Sequence, residues 1–234
     1  MSRTKKFMIT LGAFLLLGIS FKAMVLVEGL TEVRPVNAVP PVAGLLWGFT
    51  GAAACGLGNL LADMAGTFSE ASILGIIGNF AAAWLPYRLW YLYRKEAPNL
   101  HSSRNIVCYC FVCAVSAMTS AWFLSIGLYV MEEIWYEEIY RYVFFNNLGF
   151  SIGLGMPVLI MLTADCVEIS CCPAPRRYLI LRGRAAKAVL PAVYTALMLV
   201  ICGGILFFHS NPIEHLWMRI LSGASLILLM LLSI

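Results

Sequence analysis

The sequence predicts an all-α, polytopic membrane bundle, and three observations predict it. Hydrophobic residues fill 61% of the 234 positions and charged residues only 12%, with a mean hydropathy of +0.85. A soluble domain of this size needs more charge to cover its surface. Apolar runs at 7–27, 37–66, 71–93, 106–131, 142–164, 188–208 and 216–234 are each near or above the ~20 residues of a bilayer crossing. Basic residues gather at the ends of those runs: Arg3, Lys5 and Lys6; Arg88, Arg94, Lys95 and Arg104; Arg176, Arg177, Arg182, Arg184 and Lys187. Such clusters mark cytoplasmic ends of membrane helices. The net charge of +4 is therefore a topology signal and gives no reason to expect a nucleic-acid partner; the bilayer is the partner implied.

The first run follows three basic residues as a signal peptide would, but no A-x-A-like cleavage site comes after it. It is expected to stay as a helix with a cytoplasmic N-terminus in the cell membrane. The second run poses a conflict. Counted as one crossing, it puts the first two basic clusters on opposite sides, against the positive-inside bias. The conflict vanishes if 37–66 crosses twice, as two short arms of about 13–15 residues, roughly 20–22 Å each. Pro40 and Pro41 suit the opening turn of the first arm, and Gly48-Phe49-Thr50-Gly51 the turn between arms. Small-residue pairs at four-residue spacing, Gly44/Gly48, Ala52/Gly56 and Ala54/Gly58, let such short arms pack inside a bundle. The acidic side chains Glu28, Glu32, Asp63, Glu70, Glu132, Glu133, Glu137 and Glu138 then fall outside.

A proline-led short helix, the turn Trp47-Gly48-Phe49 and a Gly/Ala helix ending Gly58-Asn59-Leu60-Leu61-Ala62-Asp63 resemble the substrate-binding S components of energy-coupling factor vitamin transporters. The segment Gly75–Phe80, continuing to Leu85-Pro86-Tyr87-Arg88-Leu89-Trp90, is similar to the fourth helix of uncharacterised members of that group. The resemblance covers about residues 7–170. It implies a six-helix core over 1–170, followed here by a basic loop at 171–187 and two further helices in 188–234. It also implies a small-molecule ligand held near the outer leaflet under the first loop, with a coupling transmembrane subunit and ATPases as partners. The first helix departs from the pattern, since Gly12, Ala13, Gly18, Ser20 and Ala23 form no pair at four-residue spacing.

Polar residues inside apolar runs are the candidate ligand contacts, because an intramembrane polar group is costly without a purpose. Arg34 and Asn37 lie at the head of the second run, Asn59 and Asp63 share one helix face, and Asn79, Trp84 and Asn146 follow. For five of them a plainer role competes. Arg34 can pair with Glu32, Asp63 can cap a helix, Asn79 can tie two helices, Trp84 can line a lipid interface, and Asn146 with Asn147 can cap the sixth helix. Trp90 is expected in the interfacial belt. Cys108, Cys110, Cys113, Cys171 and Cys172 match no zinc spacing, so no metal or other cofactor is expected. Without a G-x-x-x-x-G-K-[ST] motif or a Ser/His/Asp arrangement, no enzyme activity is expected either. Two alternatives share the fold: a membrane sensor that passes ligand binding to a cytoplasmic partner, and an assembly subunit without a ligand.

Overall fold

The computed structural model describes residues 1–22, 24–27, 31–66, 68–133, 135, 137–164, 171, 184–209 and 214–233, with 25–27, 31–32 and 184–186 described by backbone alone. Helix α1 spans Arg3–Ser20, capped by Ser2, whose hydroxyl accepts from the Lys5 amide at 3.3 Å. A short antiparallel pair, β1 (Val25–Val27) and β2 (Thr31–Glu32), leads into a 3-10 turn at Pro35–Ala38. Helices α2 (Val39–Trp47), α3 (Phe49–Met64), α4 (Ser72–Tyr93) and α5 (Ser103–Glu132) follow. Helix α6 (Glu137–Phe150) runs through a π-helical turn at Ser151–Gly155 into α7 (Met156–Leu162), and α8 (Arg184–Phe208) and α9 (Leu216–Ser233) complete the set.

Apart from the short β pair, the regular structure of the described residues is helical, and four segments are long and apolar enough to cross a membrane: Ser103–Glu132, Glu137–Leu162, Lys187–Phe208 and Leu216–Ser233. The chain is a helical membrane protein. With α6, the π turn and α7 taken as one rod, the described residues form eight helices. Of the basic segment at 171–187, Arg176, Arg177 and Arg182 lie outside the described residues, as do Glu28 and Cys172; Arg184 and Lys187 belong to α8.

The stretch 37–66 is two helices, and the break is a single residue. Gly48 takes φ 57° and ψ −130°, a conformation open only to glycine at little cost, while its N–H still bonds the Gly44 carbonyl at 2.7 Å. The expected four-residue turn is thus corrected: Phe49, Thr50 and Gly51 already belong to α3. The arms are also unequal, 9 and 16 residues, because Pro35–Ala38 winds as a 3-10 turn before α2 begins. At about 13 and 24 Å, neither arm matches the ~30 Å hydrocarbon core; α2 is buried along nearly its whole length, and α3 buries one face among neighbours.

Close approach makes that burial possible. A Cβ on Gly44 would stand 1.8 Å from the Ala83 carbonyl oxygen of α4, and one on Gly51 would stand 2.2 Å from that of Ala43. Helix α3 packs between α1 and α4, α4 also holds α2 and α5, and α5 meets α6. Helices α8 and α9 pair with each other and dock on this core through polar side chains: Thr119 Oγ1 and Tyr194 Oη lie 2.7 Å apart, and Trp122 Nε1 donates to Ser222 Oγ at 3.1 Å.

The proline break in α4 is repaired by a neighbour. Pro86 inside α4 has no N–H for the Ala82 carbonyl, and Ser116 Oγ of α5 donates to that oxygen at 3.2 Å. Trp90 corrects its expected place in a lipid belt. It is fully buried, and Nε1 donates to the Glu96 carbonyl at 3.0 Å because the 94–100 segment folds back over the end of α4.

Candidate functional site

The first loop and three helices bring together the polar residues singled out from sequence. Arg34 precedes the 3-10 turn, held by Val33 N–H bonding the Met24 carbonyl at 2.7 Å and Asn37 N–H bonding the Arg34 carbonyl at 2.9 Å. From there its Nη2 donates to Asn59 Oδ1 at 2.7 Å, and its backbone N–H donates to Asn146 Oδ1 at 3.3 Å. Asn59 and Asp63, one turn apart on α3, are joined by Asn59 Nδ2 donating to Asp63 Oδ2 at 2.9 Å. Across the interface, Asn79 Nδ2 of α4 donates to Asn59 Oδ1 at 2.9 Å and to the Gly75 carbonyl at 3.0 Å.

Asn59 is the hub. It is fully buried, and its oxygen takes two donors while its amide serves Asp63. That division of roles fixes which end of the amide is oxygen. Gly75 makes the contact sterically possible, since a Cβ there would stand 2.3 Å from Asn59 Nδ2. Asp63 is also buried and meets a cation that sequence reasoning missed: Lys22 Nζ lies 3.4 Å from Oδ1. Lys22 falls outside the three basic clusters, two residues past the end of α1. Its signal was position, a lone lysine closing an apolar run beside the acidic face of α3.

The plainer role of Asn79 is thus present in the same geometry, since it ties α4 to α3. The Asp63 carboxylate is taken by Asn59 and Lys22 rather than by a helix end, and through Lys22 it anchors the residues after α1. A buried carboxylate is tolerable when a cation and a hydrogen-bond donor both serve it, and Lys22 and Asn59 are those partners. The arrangement is chemically suited to binding and orienting hydrogen-bonding or charged groups. Among the described residues no group of three His, Cys, Asp or Glu side chains is placed to hold a metal ion.

Trp84 and Asn37 are not brought into this network. Trp84 is five residues beyond Asn79, so it points about 140° around the helix and about 7.5 Å farther along. There its indole N–H donates to the Ser233 carbonyl at 3.2 Å, and its ring packs against Phe49, Phe80 and Tyr87 with Arg88 over one face. The Asn37 carbonyl accepts from Ser151 Oγ at 3.3 Å. Its side chain and Asn147 border a separate small void at the π turn.

The fold and the network define a helical membrane protein with a buried charged cluster beneath its first loop. No protein-family model, curated protein or solved structure matches the chain.

Proposed function

We propose that the protein is a membrane substrate-binding subunit of the S-component kind, capturing a small molecule beneath its first loop for uptake with a separate coupling ATPase. The observation that carries the reading is the meeting of Arg34, Asn59, Asp63 and Asn79, with Lys22 and Asn146, from the first loop and helices α3, α4 and α6. Charged and amide groups in an apolar bundle are expensive, and gathering them under a loop serves ligand capture. On this reading the core is a six-helix unit with α8 and α9 added, and the N-terminus and the three basic clusters are cytoplasmic. The ligand is a micronutrient carrying acidic and hydrogen-bonding groups. Its carboxylate takes over Arg34 or Lys22 from their present partners, and the loaded subunit topples in the membrane to release it.

A second reading, a membrane sensor, is favoured by the polar docking of α8 and α9 onto α5. Those bonds join the ligand-binding core to helices that a capture subunit does not need. One experiment addresses both readings. The purified protein is screened by thermal shift against vitamins, nucleosides and dicarboxylates, since ligand bound to the native state raises the melting temperature. Stabilisation lost in Arg34→Ala, with membrane-inserted yield retained, supports capture at this cluster. Stabilisation equal in wild type and Arg34→Ala overturns it. Hits followed by co-purification with coupling ATPases favour transport, and hits that alter a partner's phosphorylation favour sensing.

A further inference from the structure

We propose that a buried void among α2, α4, α5 and the α6 π turn is a binding site for one ordered water. The void has a volume of about 10 Å³, and its polar lining is Asn37, Ser116, Ser120, Asn147 and Ser151. That volume is about what a single water requires. The lining is uncharged and hydrogen-bonding, unlike the charged cluster under the first loop, so a neutral guest is the one it suits.

Ser120 points to the guest independently. Its Oγ is buried, the residue being 6% exposed, and has no hydrogen-bond partner among the described residues. On α5 the Thr119 hydroxyl closes onto the Val115 carbonyl one turn back and Ser116 crosses to the Ala82 carbonyl, while Ser120 Oγ and Ser125 Oγ are buried without a partner among the described residues. Of those two, Ser120 borders the void. A buried hydroxyl without a protein partner is ordinarily served by water.

The backbone around the void is irregular on two sides, which is where membrane helices recruit water. On α4, Pro86 frees the Ala82 carbonyl, and Ser116 serves it. On the other side the Ser151–Gly155 π turn presents the Ser151 carbonyl to Tyr109 Oη at 2.7 Å, while Ser151 Oγ reaches the Asn37 carbonyl. Pro157 follows, without an N–H to restore regular α-helical bonding. A water here bridges the Ser120 hydroxyl of α5 to the Asn37 and Asn147 amides, joining the first loop, α5 and α6. It gives the loop a hydrogen-bonded but exchangeable seat on the bundle. This inference does not depend on the transport reading.

Radiolytic hydroxyl-radical footprinting of the purified full chain tests it, because radicals generated from a trapped water oxidise the side chains around it. Cys113 lines the void at 1% exposure, and Cys55 is an equally buried thiol outside that lining. Wild type should oxidise Cys113 several-fold faster than Cys55, and Ser120→Val, which fills the void, should bring the two rates together. Equal slow rates in wild type overturn the proposal without any variant. A folded Ser120→Val protein that keeps the fast Cys113 rate overturns it as well.

Discussion

Removing Asn59 is the sharpest test of the polar network. Asn59→Ala deletes one acceptor serving Arg34 Nη2 at 2.7 Å and Asn79 Nδ2 at 2.9 Å, and one donor to Asp63 at 2.9 Å. Two of the three bonds involve a charged group. In water-based scales such bonds contribute about 1.5–3 kcal/mol each and a neutral one about 0.5–1.5, whereas interhelical bonds inside membranes average about 0.6. The membrane figure, applied to three bonds, sets a floor near 2 kcal/mol. Leaving the Asp63 carboxylate short of a donor raises the expected loss to about 2–4 kcal/mol. Reversible unfolding in mixed micelles measures it, with Asn79→Ala and the double variant closing a cycle. A coupling of about 0.5–1.5 kcal/mol is expected between Asn59 and Asn79, whose side chains are in direct contact. A loss below about 0.5 kcal/mol for Asn59→Ala, or strict additivity with Asn79→Ala, would refute the hub role.

Three further outcomes are expected. Gly44→Leu should abolish folded yield on size-exclusion chromatography, because even its Cβ would sit 1.8 Å from the Ala83 carbonyl; overpacking of this kind, with no flexible neighbour to yield, exceeds the usual ~1–3 kcal/mol. A cysteine at position 98 should resist an impermeant reagent in intact cells while one at position 133 reacts, and the reverse pattern would overturn the charge-based topology. Glu96 has its carboxyl held below the ordinary carboxylate range, first by the hydrogen bond from Arg94 and then by Asn105. A depressed carboxyl stabilises above its unfolded pKa and loses that contribution as pH falls through the folded value. Hydrogen-exchange protection in the 94–105 segment, referred to the intrinsic rate at each pH, should therefore fall only in acid, and Glu96→Gln should remove that fall.

Much of the fold was legible because bilayer physics writes it into composition. Run lengths and proline and glycine placement located the helices, and the charge conflict called for two helices in 37–66, with the turn expected over Gly48–Gly51 where Gly48 alone makes it. The unequal arms were not legible, because whether Pro35–Ala38 winds as a 3-10 turn depends on contacts with α6 and the π turn. Trp90 was misread for a similar reason. Tryptophan at a helix end ordinarily faces lipid, and only the return of the 94–100 segment gives its indole a protein acceptor.

At the candidate site, spacing put Asn59 and Asp63 on one face, and the cost of isolated polar groups argued that Arg34 and Asn79 should join them. Lys22 was invisible to that reasoning, since a lysine near a helix end has solvent as a ready alternative. The network it completes sets a condition on any ligand. Arg34, Asn59, Asp63 and Asn79 already serve one another, so exchanging these bonds for ligand bonds yields little net free energy. Affinity must then come from apolar surface that the ligand buries, and selectivity from rejecting molecules that leave Asp63 or Arg34 unserved. A ligand lacking a group to replace Asp63 beside Lys22 should bind no better to wild type than to Asp63→Asn. One that supplies a carboxylate there should gain in Asp63→Asn, because the competing charge is gone. Titrating both proteins with mono- and dicarboxylates separates these outcomes, and an Asp63→Asn protein that loses all binding would show instead that Asp63 itself contacts the ligand.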